Sequence, residues 1–289
     1  AGGCLGILIP PSIMLIVYAA AASVSVVRLY AGAIIPGFML ASFYVAYVLI
    51  RCTLKPELAP APAPPQVPPG ENARRMKGVI LPIMVVIFVL GSIYGGIASP
   101  SEAAALGVMG SLLIVLAQRT LSVTALGRSF SNAIRATVMI VAIVACSAIF
   151  SNYLAFTRIT HAMLDFVANT EMRREVIMGI IILVLLVMGM FMDQLAILSL
   201  AMPLAFPTAM ALEYDPVWFG IVVTKTVEIG LLTPPLGLNV YVAAAQTRVP
   251  LVTIFRGILP FLGMEIVVLI LLLSFPQITL FLPDLMLAR

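Results

Sequence analysis

Residues 230–245 of this chain read GLLTPPLGLNVYVAAA, and residues 6–21 read GILIPPSIMLIVYAAA. In ungapped register seven of the sixteen positions are identical, including both prolines and the three closing alanines. Each copy is followed by a short polar turn and one long apolar segment, residues 31–50 in the first half and 257–275 in the second. A Pro-Pro pair disrupts a regular helix. The repeat therefore predicts two related elements in which an apolar helix is interrupted.

The composition places these elements in a lipid bilayer. Hydrophobic residues make up 62% of the chain and charged residues only 10%, whereas soluble domains average about 25% charged residues. Segments 78–96, 133–150 and 257–275 contain at most one charged residue each, and their length suits a transmembrane helix of ~20 residues. Basic residues concentrate in short loops, which is typical of membrane proteins and argues against nucleic-acid binding.

Residues that carry chemistry in enzymes are scarce in this sequence. Cys4, Cys52 and Cys146 are scattered in apolar surroundings and predict neither disulfides nor metal ligands. His161 lies in a short polar stretch without a Ser-His pair or a phosphate-binding loop. Glu102 ends an SPSE capping box, so we interpret it as a helix cap and not as a functional acid. We therefore expect no catalytic residues, and a membrane-embedded enzyme is the disfavoured alternative.

A proline-rich linker divides the chain. Residues 12–27 and 31–50 form apolar segments that we expect Arg28 to separate, and seven prolines then lie between Pro56 and Pro69. Such a segment is extended, and the basic residues beside it predict a cytoplasmic position. The expected parts are the end of a first inverted repeat (1–53), the linker (54–77), scaffold helices with amphipathic connectors (78–174) and a transport core (175–289).

Residues 175–213 form a long apolar stretch that is interrupted by GMFMDQ at 189–194. One continuous helix of this length would measure about 57 Å at ~1.5 Å per residue, far more than the ~30 Å hydrocarbon layer. We expect two half-depth arms that meet at Asp193 in a re-entrant hairpin. Asp193 could cap the arm that begins at Gln194 or help to bind a cation, and the two roles are compatible.

The second break follows a helix that Asp215-Pro216 starts with an acidic cap. Lys225 and Glu228 lie one turn apart on this helix, where mutual pairing is the favoured interpretation and a direct substrate role of Lys225 the alternative. Counted from the cytoplasmic linker, the two repeat copies run in opposite directions, as in the inverted repeats of many secondary transporters. The sequence therefore predicts an all-α polytopic membrane protein with broken transmembrane helices.

Each break frees backbone N–H and C=O groups that lipid cannot satisfy. Freed carbonyls and hydroxyls suit Na⁺, and the N-termini of half-helices suit an anionic substrate. Such asymmetric breaks fit occlusion better than the continuous pore of a passive channel. The candidate Na⁺-binding residues are Pro10, Ser12, Asp193, Gly230, Thr233 and Pro234. The candidate substrate-binding residues are Ser12, Pro235, Gly237 and Asn239, of which Asn239 could equally tie helices together.

Four segments carry a resemblance to a known family. They are GCLGILIPPSI (3–13), GGIASPSEAAALGV (95–108), GMFMDQLAILSLAMPLAFP (189–207) and DPVWFGIV (215–222) followed by EIGLLTPPLGLNVYV (228–242). In this order and combination, the chain resembles the large membrane subunit of TRAP (tripartite ATP-independent periplasmic) transporters. Only the proline-rich linker and the C-terminal tail look individual.

The resemblance implies a fold and a function. The fold would be that of an ion-transporter-like elevator in the bacterial inner membrane, with Na⁺ as the coupling ion and no other metal or cofactor. The expected partners are a small membrane subunit and a periplasmic binding protein that delivers a small organic anion, a carboxylate. Large subunits of the family are longer at the N-terminus, so we expect an N-terminal part outside this chain. The alternative is a related carboxylate transporter that works without a binding protein.

Overall fold

The computed structural model describes residues 2–58 and 71–287. Within these ranges the regular structure is helical, and no strand occurs. The linker predicted at 54–77 lies mostly outside the described residues, so its extended form and its cytoplasmic position stay predictions. The α-helices are α1 (Leu5–Leu8), α2 (Ile13–Ala22), α3 (Val26–Leu54), α4 (Glu71–Tyr94), α5 (Pro100–Ala117), α6 (Val123–Phe156), α7 (Ile159–Asn169), α8 (Arg174–Phe191), α9 (Gln194–Ala211), α10 (Pro216–Leu232), α11 (Leu238–Thr247), α12 (Leu251–Ser274) and α13 (Gln277–Leu287).

Seven helical segments in the described ranges are long and apolar enough to cross a membrane. The prediction of an all-α, polytopic membrane protein is therefore confirmed. The segments are Gly2–Ala22, Val26–Leu54, Pro100–Ala117, Val123–Phe156, Arg174–Phe191, Gln194–Ala211 and Leu251–Ser274.

Contacts between helices divide the chain into two compact units. One unit contains Ala1–Tyr44 and Val138–Arg289, and the other contains Val45–Thr137. In the smaller unit α4 packs along α5, and an alanine methyl at Gly107 would lie only 3.1 Å from the Val89 side chain. Small residues allow two helices to approach closely in lipid, where apolar burial alone does not drive their association.

Side chains predicted from the sequence to cap helices do so. The Ser99 side chain accepts the N–H of Glu102, and the Glu102 carboxylate accepts the N–H of Ser99 at 2.8 Å, which completes the capping box of α5. Asp193 accepts one N–H bond from the first turn of α9, and Asp215 accepts two from the first turn of α10. These local signals need only a few neighbouring residues, which is why they can be read from sequence.

One predicted boundary is wrong. Arg28 does not separate the first two apolar segments, because α3 begins at Val26 and contains it. The chain turns instead at Ser23, whose backbone is left-handed with φ of 55°. Ser25 then accepts a hydrogen bond from the N–H of Arg28 at 3.4 Å. Serine hydroxyls compete for backbone hydrogen bonds and favour helix ends, whereas arginine is a good helix former.

The two arms of the predicted hairpin are α8 and α9, which Met192 and Asp193 connect and which pack against each other. Each arm has 18 residues, a length of about 27 Å at ~1.5 Å per residue. Each arm is thus nearly as long as a ~30 Å hydrocarbon layer is thick. The length of the arms therefore does not show that they reach only halfway through the membrane. The re-entrant course therefore stays a prediction.

Helix α10 lies at the centre of the larger unit. All residues from Val217 to Leu232 are buried, and the helix packs against α1, α2, α8, α9, α12 and α13. At its start, the Tyr18 hydroxyl of α2 donates to the Pro216 carbonyl at 2.7 Å. The Trp218 indole donates to a carbonyl of α12 at 2.8 Å. These bonds hold the helix that leads into the second break.

Candidate functional site

Both Pro-Pro segments interrupt helices, as the repeat predicts. Helix α1 ends at Leu8 before α2 begins at Ile13, and α10 ends at Leu232 before α11 begins at Leu238. Ile9 and Thr233, which correspond in the repeat, are both extended, with ψ of 125° and 137°. The peptide bond inside each Pro-Pro pair is cis.

The second break leaves a backbone carbonyl available. Pro234 and Pro235 have no N–H groups for the carbonyls of Gly230 and Leu231, which a continuous helix would bond. The Gly230 carbonyl accepts the N–H of Thr233 instead, at 3.0 Å. The carbonyl of Leu231 has no such replacement among the backbone bonds of the described residues. A freed carbonyl at the C-terminal end of a half-helix is a typical Na⁺ ligand.

The two candidate hydroxyl ligands are already engaged. Ser12 is buried, donates to the carbonyl of Ile7 and accepts the N–H of Leu15 at 3.4 Å as the cap of α2. Thr233 donates its hydroxyl to the carbonyl of Ile229 at 2.6 Å. A hydroxyl that donates one bond keeps acceptor lone pairs. Thr233 can therefore offer its oxygen to a cation without losing its own bond, whereas Ser12 has less capacity left.

The remaining predicted residues of the breaks differ in exposure. Pro10 and Gly230 are buried, whereas Pro234 and Pro235 are exposed. Gly237 is buried and left-handed, with φ of 57°, and starts α11. This conformation favours glycine, because a side chain there would meet its own backbone.

Elements that flank the two breaks contact each other in the larger unit. The Asn239 side chain, just past the second break, donates to the Sγ of Cys4, which lies just before α1, at 3.2 Å. Helix α1 also contacts α10 directly. Asn239 therefore ties the two repeat copies together, one of the two roles open from the sequence, and a role in substrate binding stays a prediction.

The hairpin reaches the second break through a contact between two glycines. A Cβ added to Gly230 would lie 2.5 Å from the Cα of Gly189, and one added to Gly189 would lie 2.8 Å from the Cα of Gly230. Gly189 is one turn before Asp193, which is exposed at the tip and accepts the N–H of Leu195 at 3.1 Å. The tip and the break are thus neighbours, and the capping role of Asp193 is confirmed.

A buried ionic cluster lies on α10 before the break. The Lys225 ammonium is 3.1 Å from Glu228 Oε2, so the pairing predicted from sequence is confirmed. The sequence did not point to Glu265 of α12, which contacts the same ammonium, or to Tyr44 of α3, whose hydroxyl donates to Glu265. Glu265 carries the only charge in the apolar segment 257–275. That isolated charge was a signal for a partner, because lone charges are costly at membrane depth.

A cavity of about 650 Å³ lies between α2, α6 and α9. Beside it, Ser147 of α6 donates to the carbonyl of Ser199 at 2.7 Å. That carbonyl lacks its helical partner because Pro203 has no N–H. The cavity has the size of a small-molecule site, but its lining contains no charged residue and none of the predicted substrate-binding residues.

The described residues contain no group of three His, Cys, Asp or Glu side chains that could hold a metal ion. The oxygens offered by the second break and the hairpin tip are the Leu231 carbonyl, the Thr233 hydroxyl and the Asp193 carboxylate. This donor set fits Na⁺, which transporters bind through unwound backbone.

Comparison with known proteins assigns a family. Residues 1–278 match the family described as Tripartite ATP-independent periplasmic transporter, DctM component. The chain is 33% identical over 98% of its length to the C4-dicarboxylate TRAP transporter large permease protein DctM of Pseudomonas aeruginosa. It is 31% identical over 96% of its length to the ectoine/5-hydroxyectoine large permease protein UehC of Ruegeria pomeroyi. It is 29% identical over 99% of its length to the sialic acid large permease protein SiaM of Vibrio cholerae.

The chain spans about two thirds of the length of these relatives. It covers 65% of the Pseudomonas protein, 64% of the Ruegeria protein and 67% of the Vibrio protein. The three relatives are named for different substrates although their identities to this chain are similar. Overall identity therefore does not select a substrate.

Proposed function

Because the chain belongs to the family of DctM components of tripartite ATP-independent periplasmic transporters, we propose that it forms part of a Na⁺-driven importer of small organic anions. The importer would lie in the bacterial inner membrane and work as an elevator. Its partners would be a small membrane subunit and a periplasmic binding protein. Family membership excludes the membrane-enzyme alternative.

The contact of the second break's flanking residues with both the first repeat copy and the hairpin is the observation that carries this proposal. Asn239 bonds Cys4 across the two repeat copies, and Gly230 contacts Gly189 of the hairpin. Freed backbone groups are tolerated at membrane depth only where they face protein, water or a bound ion. A break packed in this way inside the protein can supply the carbonyls and half-helix ends of an ion-coupled substrate site.

The proposed substrate is a carboxylate, and C4-dicarboxylates are the first candidates to test. The relatives named for C4-dicarboxylates include the Pseudomonas protein, and the half-helix N-terminus at Leu238 directs positive partial charge into the second break. Na⁺ held by the Leu231 carbonyl, Thr233 and Asp193 would lower the cost of bringing this anion into the membrane.

Uptake by proteoliposomes tests the function. The full-length permease containing this chain, its small subunit and its binding protein would be reconstituted and given a panel of labelled C4-dicarboxylates, keto acids, sugar acids and ectoine. We expect uptake of a carboxylate that needs an inward Na⁺ gradient and stops when the gradient is collapsed. Uptake that is indifferent to Na⁺ would overturn ion coupling.

The same vesicles distinguish the alternative transporter. Omitting the binding protein should abolish uptake if that protein delivers the substrate. Full uptake without it would instead favour a carboxylate transporter that captures its substrate directly.

Substitutions at Thr233 and Pro235 test the ion site. Thr233→Val keeps the shape but removes the hydroxyl, so we expect the half-saturating Na⁺ concentration for uptake to rise about tenfold, as loss of one ligand worth ~1.4 kcal/mol predicts. Pro235→Ala should impair uptake more strongly than Thr233→Val, because an alanine N–H can bond the Leu231 carbonyl and allow the helix to continue.

Thr247→Val is the matched control for Thr233→Val. Thr247 also donates its hydroxyl to a carbonyl four residues earlier, at 2.7 Å, but lies exposed at the far end of α11. The half-saturating Na⁺ concentration of Thr247→Val should stay at the wild-type value. Equal Na⁺ dependence in Thr233→Val, Pro235→Ala and the wild type would show that the break is not an ion site.

A further inference from the structure

The cluster of Tyr44, Lys225, Glu228 and Glu265 joins three helices of the larger unit. Lys225 and Glu228 come from α10, Glu265 from α12 and Tyr44 from α3. The side chains of Lys225, Glu228 and Glu265 are completely buried, and Tyr44 is 6% exposed. Charged groups in such a place are retained only where they are paired or functional.

The cluster contains two acidic side chains and one basic side chain. Two carboxylates face one ammonium, so its formal charge is −1. Glu265 accepts a hydrogen bond from the Tyr44 hydroxyl and forms an ion pair with the Lys225 ammonium. The Oε2 atom of Glu228 pairs with the same ammonium. The Oε1 atom of Glu228 is buried and has no hydrogen-bond partner among the described residues. The pairing inside the cluster is therefore incomplete, and its formal negative charge would attract a cation bound elsewhere in the same low-dielectric interior.

The second break follows the cluster along α10. Glu228 precedes Thr233 by five residues, about 8 Å along the helix axis at ~1.5 Å per residue. The freed Leu231 carbonyl and the Thr233 hydroxyl lie at that end of α10. The negative end of the helix dipole adds to the attraction for a cation there.

We propose that the Lys225–Glu228–Glu265 cluster is a fixed counter-charge that strengthens cation binding at the break between α10 and α11. The proposal rests on the Na⁺ coupling proposed above. Glu265 acts as a positioning residue, because it contributes through its field and does not ligate the ion. Two opposite unit charges about 10 Å apart, at an effective dielectric constant of ~20, change a binding constant by roughly tenfold.

Two variants separate net charge from structural pairing. Glu265→Gln keeps the Lys225–Glu228 ion pair but brings the formal charge to zero. We expect the half-saturating Na⁺ concentration to rise about tenfold, with the maximal uptake rate at saturating Na⁺ unchanged. Glu228→Asp keeps the formal charge of −1 but shortens the side chain, and so weakens the Lys225–Glu228 ion pair, which is 3.1 Å long. It should keep the half-saturating Na⁺ concentration within about twofold of the wild type.

The measurements use the full-length complex in proteoliposomes, with Na⁺ as the probe. A second readout is the Na⁺ concentration that gives half-maximal thermal stabilisation of the complex without substrate, since a ligand stabilises the state that it binds. Glutamine is isosteric with glutamate, and in Glu228→Asp the Lys225 ammonium keeps Glu265 as a partner, so neither variant leaves a buried ammonium without a carboxylate. Folded yield is checked for each.

The outcomes are distinct. A purely structural role of the Lys225–Glu228 ion pair predicts the reverse order, with Glu228→Asp impaired and Glu265→Gln normal, and that result would overturn the proposal. If the wild type depends on Na⁺ and Glu265→Gln does not shift either readout, the counter-charge proposal alone fails. If the wild type transports without Na⁺, the proposed ion coupling fails and the counter-charge fails with it.

Discussion

Replacing Gly230 with alanine is expected to destabilise the folded protein by about 3 kcal/mol and to abolish transport. The added methyl would lie 2.5 Å from the Cα of Gly189 and 2.9 Å from the carbonyl oxygen of Leu186. These are backbone atoms, so no side chain can rotate to make room. Relief requires α8 and α10 to move apart, and this movement displaces the hairpin from the second break.

Gly179→Ala is the matched control for this experiment. Gly179 lies in α8, the helix that carries Gly189, but an added methyl there meets nothing within 4 Å. Helix propensity then predicts a gain of roughly 0.5–1 kcal/mol. Thermal unfolding of the full-length subunit and uptake by vesicles provide the comparison. Equal stability and transport in both variants would show that the two helices do not need this close contact.

Replacing Asp193 with asparagine is expected to lower Na⁺-driven uptake at least about tenfold, because the variant loses a negative charge next to the proposed cation. Folding should be preserved. Asparagine caps helices about as well as aspartate, and it can accept the Leu195 N–H that Asp193 accepts at 3.1 Å. The measurement is uptake over a range of Na⁺ concentrations, together with the folded yield of the complex.

Asp215→Asn provides the control for Asp193→Asn. Asp215 also caps a helix, accepting the N–H groups of Val217 and Trp218 at 2.7 and 3.1 Å, but it lies at the opposite end of α10 from the break. Its loss of charge should leave the Na⁺ dependence of uptake unchanged. Wild-type uptake by Asp193→Asn across the whole Na⁺ range would show that Asp193 acts only as a helix cap.

Local features of this fold could be predicted because their causes are local. The capping box at Ser99 and the acidic caps at Asp193 and Asp215 each need only the next few residues. The helix breaks follow from the missing N–H groups of the Pro-Pro pairs. The Lys225–Glu228 pair follows from a spacing of three residues on one helix face.

Helix boundaries are harder to predict from sequence where two local preferences compete. Arg28 was expected to interrupt an apolar segment because it is charged, yet it lies inside α3. A charge near a helix end can reach the interface through its long side chain, so it does not mark the end itself. The left-handed turn at Ser23 sets the boundary instead.

The sequence by itself determined the class of the protein, its internal repeat, the positions of both breaks and the caps of its helices, because each depends on composition or on neighbours along the chain. Only the tertiary structure joined Tyr44 to Glu265 across 221 residues and Asn239 to Cys4 across 235. It also placed Gly189 against Gly230. These contacts depend on how the helices pack around α10, and apolar periodicity does not specify partners when every helix face in the membrane is apolar.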